Sequence, residues 1–298
     1  MTSPPDPRTG VALALGGFVL WGLFPIYFYL LRGVEASEVL AHRVLGSALL
    51  LLLIFAWRGH LAKLWREVRS TRRLGFYALT SALVSANWLI YIWATQNGHV
   101  IDASLGYFIN PLVSVLLALA FLGERLRRQQ WAAVALAGMG VGVLVVDYGA
   151  VPWIALSLAL SFGGYGLLRK KAGVPAMTGL LVETLLAAPV ALGWMVWLAL
   201  DQRFAFGSAG LQINALLALA GVVTVLPLAL FLQSMVHLRL STVGLIQYVT
   251  PTLQFLIGLW LGEPFGTSRM LAFAFIWTAL VVFTADALSH GRKSRVAV

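Results

Sequence analysis

Three titratable side chains interrupt long apolar runs of this chain and are the first candidates for chemistry. His42 and Arg43 are adjacent in the run at residues 39–57, and Glu183 lies in the run at residues 176–200. His42 and Glu183 can couple proton movement or form a charge pair, and the planar guanidinium of Arg43 suits a carboxylate substrate. The structural alternative is a buried Arg43–Glu183 pair that pins two parts of the chain together.

A second polar cluster lies in two apolar runs that each contain a proline. Pro111 and Pro251 predict helix kinks, because proline frees a backbone carbonyl and interrupts the hydrogen-bond ladder. Interrupted helices at corresponding places in two halves are typical of a transporter's central site. The alternative is that the prolines only bend helices and the polar groups bond neighbouring helices. The side chains expected to shape the site are Tyr107, Asn110, Gln247, Tyr248 and Gln254.

The run at residues 74–95 adds Asn87, Trp88 and Tyr91. Trp88 and Tyr91 are three residues apart, so on a helix they share a face that can line a cavity for an aromatic or amphipathic solute. The alternative is that these rings anchor the helix at the lipid interface.

Enzyme motifs are missing from the sequence. It has no Gly-rich phosphate loop, no G-x-S-x-G and no H-E-x-x-H, and its five histidines show no ligand spacing. There is no cysteine, so thiol catalysis and zinc-thiolate sites are absent. We therefore predict a protein that is not an enzyme and that needs no cofactor or metal.

The elements that position these residues follow from composition. Sixty per cent of the 298 residues are hydrophobic and 11% are charged, whereas soluble domains carry about 25% charged residues. The apolar residues form runs of about 16 to 26, close to the roughly 20 that cross a bilayer as a helix. Backbone groups in lipid must be bonded within the segment, so the runs predict helices and exclude barrel strands. The ten runs are residues 11–31, 39–57, 74–95, 100–122, 131–146, 151–168, 176–200, 211–236, 241–261 and 270–288.

The chain also repeats itself. Pro111, Leu122-Gly-Glu124 and Asp147 return as Pro251, Leu261-Gly-Glu263 and Asp286, at an offset of about 139 residues. We predict two halves, 1–148 and 149–298, with five helices each. An odd number of helices per half makes the repeats inverted. At an offset of 141, His42 matches Glu183, and Arg43 faces Thr184.

The net charge of +10 follows this topology and does not indicate nucleic-acid binding. Seventeen of the 21 Lys and Arg residues fall in segments that would share one side of the membrane, and three fall on the other. An excess of positive loops marks the cytoplasmic side, so both termini are predicted to be cytoplasmic. Within the basic loop 58–73, apolar residues recur with helical spacing, which predicts an amphipathic helix on the membrane surface.

Two smaller features carry expectations of their own. Gly138 and Gly142 have the small-residue spacing that favours close helix packing. Asp147 and Asp286 close their repeats and are expected at helix ends in water.

Together these residues resemble the drug/metabolite transporter superfamily, specifically its EamA family and the RarD-like group. The similarity extends from the first helix to the tenth. The segments that carry it include Leu40-Ala-His-Arg43, Ala103-Ser-Leu-Gly-Tyr-Phe-Ile-Asn-Pro111, Leu122-Gly-Glu-Arg125, Tyr165-Gly-Leu-Leu-Arg169, Glu183-Thr184, Pro251-Thr-Leu-Gln-Phe255 and Gly262-Glu-Pro-Phe265.

The resemblance implies an all-α carrier of the bacterial inner membrane with ten transmembrane helices in two inverted five-helix repeats. It implies alternating access around a central cavity and, as in superfamily members, export of amino acids, metabolites or drugs. It supplies no substrate, coupling ion or oligomeric state. A related branch exchanges protons through a carboxylate in its first helix, which this chain lacks, so a proton would use Glu183 or His42; a counter-solute is the other coupling partner considered. The alternatives are a membrane scaffold or sensor and a lipid-modifying enzyme.

Overall fold

The computed structural model describes residues 6–60, 64, 71–122, 126–172, 175–238, 243 and 246–296. The predicted surface helix at residues 58–73 lies largely outside these residues, as does Glu124. The described chain is helical. Its helices are α1 Pro7–Gly22, α2 Phe24–Leu30, α3 Ala36–Trp57, α4 Thr71–Gln96, α5 Val100–Leu122, α6 Arg128–Tyr148, α7 Trp153–Ala172, α8 Ala176–Leu200, α9 Leu211–His237, α10 Val249–Trp260 and α11 Thr267–Val296.

Eight spans are long and apolar enough to cross a membrane; α1 and α2 together supply the first of them. The remaining two helices, α7 and α10, have shorter apolar stretches at Trp153–Arg169 and Val249–Trp260. The predicted class, an all-α membrane protein with ten transmembrane helices in two inverted five-helix repeats, is confirmed. The domain limits 1–148 and 149–298 stay a prediction.

Helix packing repeats between two sets of five helices. The first set is α1–α6, with α1 and α2 counted as one span, and the second set is α7–α11. The α1–α2 unit packs on α9 and α10, and its counterpart α7 packs on α4 and α5. Likewise α3 packs on α9, while α8 packs on α4. Three further contacts join corresponding helices directly: α3 with α8, α5 with α10, and α6 with α11. Every one of these contacts joins one five-helix set to the other, so most of the interior lies between the sets.

The two sets approach each other closely at Gly46 and Gly221, where α3 packs on α9. A Cβ atom on Gly221 would lie 2.3 Å from the carbonyl carbon of Gly46. Small residues let membrane helices approach in this way. The spacing of Gly138 and Gly142 predicted the wrong residues, because neither has a neighbour at Cβ distance, whereas Gly140 between them meets Ala272 of α11.

A break in the first span has a clear cause. Pro25 has no N–H to donate to the carbonyl four residues earlier, that of Trp21, so the helix stops at Gly22 and restarts at Phe24. Side chains from α10 bond carbonyls near the break: Thr250 Oγ1 donates to Phe18 O at 2.7 Å, and Gln254 Nε2 donates to Trp21 O at 3.3 Å. The break therefore links the two sets.

Two ends of the bundle are distinguished below. The terminal end holds the start of α1, the end of α3 with residues 58–60, and the starts of α4, α6 and α8. The opposite end holds residues 31–35, 97–99, 149–152, 201–210 and 261–266.

Candidate functional site

Arg43 lies inside the bundle, on the part of α3 nearer the opposite end, and only 3% of it is exposed. Its Nε donates to Thr224 Oγ1 of α9 at 3.0 Å. Three rings face its guanidinium, with Cζ 4.4 Å from the centroid of Trp88, 5.3 Å from Phe28 and 5.5 Å from Phe24. Aromatic faces attract a cation, most strongly where water is excluded. The rings and the hydroxyl thus hold the guanidinium in place.

The three rings and the Thr224 hydroxyl do not neutralise the charge of Arg43. Among the residues that the structure describes, no carboxylate lies within ion-pair distance of the guanidinium, and no side chain or backbone group accepts from either Nη nitrogen. Its electrostatic neighbours are the phenol groups of Tyr27, Tyr91 and Tyr107. A buried charge is normally paired, so the free fork is an opening for an anion.

Glu183 has a different partner from the one considered in the sequence. Its Oε1 is 3.4 Å from Arg169 Nη1, and its Oε2 accepts from the Tyr165 hydroxyl at 3.0 Å. Both partners come from α7, and the carboxylate is 1% exposed. The interpretation as an Arg43–Glu183 pair is therefore wrong: Glu183 belongs to a second ionic centre, nearer the terminal end.

Residues around the two ionic centres match each other between the halves, although Arg43 itself matches Thr184. The offset of 141 that matches His42 to Glu183 also matches Phe24 to Tyr165 and Phe28 to Arg169. The first half thus places two phenylalanines beside a lone cation, whereas the second places a phenol and a cation beside a carboxylate. The matched positions therefore differ in charge between the two halves.

Neighbouring aromatic rings connect the two centres. Consecutive ring centroids are 5.6 to 6.3 Å apart, the range of aromatic contact. The first two rings face Arg43, and Arg169 Cζ lies 5.8 Å from the centroid of the last ring. We call this set the aromatic row: Phe24, Phe28, Tyr91, Tyr107, Phe162 and Tyr165.

Several polar atoms buried in the bundle have no partner in the described part of the chain. Tyr91 Oη, Asn110 Oδ1 and Gln254 Oε1 have no hydrogen-bond partner among the described residues, and neither does Ser47 Oγ. Leaving such a group unpaired costs about 1–3 kcal/mol, so a native protein usually supplies a partner such as water or a ligand. Asn87 differs, because its amide donates to Leu158 O and to a serine hydroxyl of α7.

The predicted proline and glutamine positions are spread more widely. Pro111 lies within the continuous helix α5, where it frees the carbonyl of Tyr107, whereas Pro251 lies in the first turn of α10. Gln247 and Tyr248 form the turn before α10; Gln247 is exposed, and Tyr248 packs against a buried apolar cluster contributed by α5, α6, α7, α10 and α11. The structure does not bring these two to Arg43.

His42 faces the opposite end. Its Nε2 is 3.9 Å from Glu38 Oε1, and its ring lies beside Phe204 and Phe206. Glu38 in turn accepts from the backbone N–H groups of Ala205 and Phe206 at 2.9 Å. His42 is therefore part of a connection between α3 and the loop 201–210.

Further contacts tie the halves together at this end. Arg203 Nη2 is 2.6 Å from Glu35 Oε2, and Arg269 Nη2 is 3.3 Å from Asp102 Oδ1. Glu263 accepts from the N–H groups at the start of α5. Each contact joins the first set of helices to the second, so in this conformation the opposite end is closed by bonds that cross between the halves.

No group of three or more histidine, aspartate or glutamate side chains is arranged to hold a metal ion in the described part of the chain. The chemistry that the interior offers is binding: a cation, aromatic faces and unpaired polar atoms.

Comparison with known proteins decides the family. An uncharacterized transporter of Vibrio cholerae is 46% identical over 97% of this chain and 96% of its own length. A sequence model described as the EamA-like transporter family matches residues 8–146. The chain belongs to the EamA-like transporter family. Its similarity to Protein RarD of Salmonella typhimurium, 46% identical over 96% of this chain and 98% of that protein, places it in the RarD-like group.

A solved crystal structure shares the fold of this EamA protein. It has a TM-score of 0.55 and 20% sequence identity and covers 95% of the chain. The family and the names of its relatives indicate a membrane transporter rather than an enzyme.

Proposed function

We propose that this EamA protein is a secondary active transporter that exports a small organic solute by alternating access. One observation carries the proposal. The free fork of Arg43 and the unpartnered atoms of Tyr91 and Asn110 from the first half, together with Gln254 from the second, lie buried between the halves. A scaffold has no need for unsatisfied polar groups in its interior, since each one costs stability.

The contacts that close the opposite end support an alternating mechanism. The pairs Arg203–Glu35 and Arg269–Asp102 join the halves, so the halves must separate there before a solute can leave. We propose that residues 1–148 and 149–298 rock against each other around the Arg43 region. With both termini cytoplasmic in a bacterial inner membrane, the conformation described here is closed to the outside.

In this scheme most of the predicted site residues contact the solute, and Gln247 and Tyr248 have a different role. Arg43, Trp88, Tyr91 and Tyr107 face the solute directly, with polar contacts from Asn87, Asn110 and Gln254, while Gln247 and Tyr248 line the route towards the terminal end. Glu183 or His42 would carry a coupling proton. Glu183 is the stronger candidate, because it ends the aromatic row beside Arg169 and Tyr165.

The test is solute flux in proteoliposomes. Purified protein is reconstituted, and a panel of amino acids, metabolites and drugs is followed in both directions at two pH gradients. We expect saturable flux of at least one solute, lost in Arg43→Ala although that variant elutes as the wild type does in size-exclusion chromatography. Glu183→Gln should remove any dependence on the pH gradient. Absence of flux for every solute, in both directions, would favour the scaffold or sensor.

A further inference from the structure

We infer that the transported solute is an organic anion: a monocarboxylate with an aromatic or flat apolar body, whose carboxylate binds the free fork of Arg43. This inference rests on the proposed transport function and specifies what the same site selects. Charge, ring geometry and the unpaired phenol beside the cation support it separately.

The ion pairs of the other arginines indicate that the solute is an anion. In the described chain, four other arginines each form an ion pair with a carboxylate: Arg127 with Asp286, Arg169 with Glu183, Arg203 with Glu35, and Arg269 with Asp102. Arg43 is the most deeply buried of the five, with 3% exposed, and it has none. A buried guanidinium presents parallel N–H donors that match the two oxygens of a carboxylate.

The hydrogen bond to Thr224 leaves that fork usable. Thr224 Oγ1 accepts from Nε only, and its own hydroxyl donates to Ala220 O at 2.8 Å. The bond therefore fixes the guanidinium plane and occupies neither Nη nitrogen. A carboxylate arriving at Arg43 meets an oriented partner, which lowers the entropy cost of binding.

The surrounding rings support an aromatic or flat body. Trp88, Phe24 and Phe28 cover the guanidinium, and the aromatic row continues from them towards the terminal end. A flat apolar group can pack on successive rings of this row as the solute moves. The Tyr91 hydroxyl, which is buried and without a described partner, can bond a polar substituent or the second carboxylate oxygen.

A second cation at the far end of the row does not compete with Arg43 in this conformation. Arg169 is neutralised by Glu183 and also donates to Pro175 O at 3.3 Å. The anion-selective position is therefore the half of the interior nearer the opposite end. A positively charged or neutral solute would leave Arg43 uncompensated when bound, so the site discriminates against both.

The experiment measures affinity with matched pairs of probes. Benzoate, 3-phenylpropionate and cinnamate are each compared with the corresponding primary amide, which keeps the ring and removes the charge. Binding to the purified full chain is followed by isothermal titration calorimetry. We expect at least one carboxylate to bind at least about tenfold more tightly than its amide, the preference that a charge-assisted bond provides.

Variants then assign the preference to Arg43. Arg43→Gln should weaken carboxylate binding at least about tenfold and leave the affinity for the amide unchanged. Arg43→Lys, which keeps the charge and loses the fork, should fall between the wild type and Arg43→Gln. The matched control is Arg32→Gln, an exposed arginine that stacks on Tyr29 with 4.3 Å from Cζ to the centroid. It should bind as the wild type does.

Flux separates failure of this inference from failure of the transport function. If Arg43→Gln folds and still carries a neutral or cationic solute at the wild-type rate, the chain transports but does not select anions, and the inference is overturned. Equal affinity for carboxylates and amides, or no carboxylate binding, overturns it as well. If carboxylates bind through Arg43 but no solute crosses the membrane, the anion-binding site is supported and the proposed transport function is refuted.

Discussion

Glu263, from the repeated Leu-Gly-Glu element, provides the sharpest structural prediction. Its two carboxylate oxygens accept from the backbone N–H groups of Val100 at 2.5 Å and Ile101 at 2.8 Å, in the first turn of α5. The first four N–H groups of a helix have no partner within it. Glu263, only 9% exposed, thus supplies two of those partners from the other half of the protein. Gly262, with φ of +82°, makes the turn that brings it there.

The magnitude follows from these two bonds. A hydrogen bond to a charged group contributes about 1.5–3 kcal/mol, and a carboxylate at a helix N-terminus adds about 0.3–1 kcal/mol. Glu263→Gln keeps one acceptor oxygen and loses the charge and one bond, so the local cost is about 2–3 kcal/mol. Because each 1.4 kcal/mol is a factor of ten, opening of the first turn of α5 should become about 30- to 100-fold more frequent.

Amide hydrogen exchange measures this opening directly. Helix N-termini normally exchange fast, so protection of Val100 and Ile101 in the wild type is itself expected only if Glu263 bonds them. Exchange at both amides should speed up by the stated factor in Glu263→Gln and further in Glu263→Ala. Asp147→Asn, which removes an exposed carboxylate, is the control and should change neither rate. If Val100 and Ile101 exchange equally fast in the wild type and in Glu263→Gln, the capping argument is refuted.

Three further predictions follow from contacts elsewhere. Gly221→Val should prevent the close approach of α3 and α9, because even a Cβ atom would lie 2.3 Å from backbone of α3; loss of the folded peak in size-exclusion chromatography checks this, and an unchanged profile contradicts it. Arg127→Ala should destabilise the chain by about 1–3 kcal/mol, since Asp286 is 1% exposed and pairs with it, and Asp286→Asn should restore part of the lost thermal stability; additive effects would be inconsistent with the pair. Hydrogen bonds from the Thr9 hydroxyl, and then from backbone N–H groups at the start of α1, lower the pKa of Asp6 from its ordinary value of 3.8. This cap should therefore hold above that pH and be lost as the pH falls through the lowered pKa, a change that exchange at the Thr9 amide can follow and that Asp6→Asn should abolish.

Much of the fold was accessible from the sequence, because long apolar runs have few alternatives in lipid. The ten predicted runs correspond to the helices, and the repeat anticipates the matched packing of the two sets. The break at Leu23 was not predicted, although Pro25 lies inside the first predicted run, where proline removes a backbone hydrogen bond of the helix. Its effect is tertiary: the carbonyls near it become acceptors for Thr250 and Gln254.

The candidate site could be predicted only in part. Arg43 stands out because a lone cation in an apolar run must turn towards protein, and the structure buries it. The sequence pattern did not identify the arginines that pair with the buried carboxylates. Arg169 lies one residue beyond the predicted run 151–168, yet its long side chain pairs with Glu183 inside the bundle. Asp286 was expected in water, which is wrong, because Arg127 crosses from the other half to pair with it.

The direct test of the central claim is access to the interior from both sides of the membrane. The chain has no cysteine, so Asn110→Cys provides a single reactive thiol beside the aromatic row. Its modification by a membrane-impermeant methanethiosulfonate reagent is measured from each side in oriented vesicles, with Leu53→Cys, on a lipid-facing surface that is 58% exposed, as the control. Alternating access predicts that Asn110→Cys reacts from both sides and that an aromatic carboxylate slows both reactions. Reaction from neither side, or from one side only and unchanged by any solute, would contradict the account.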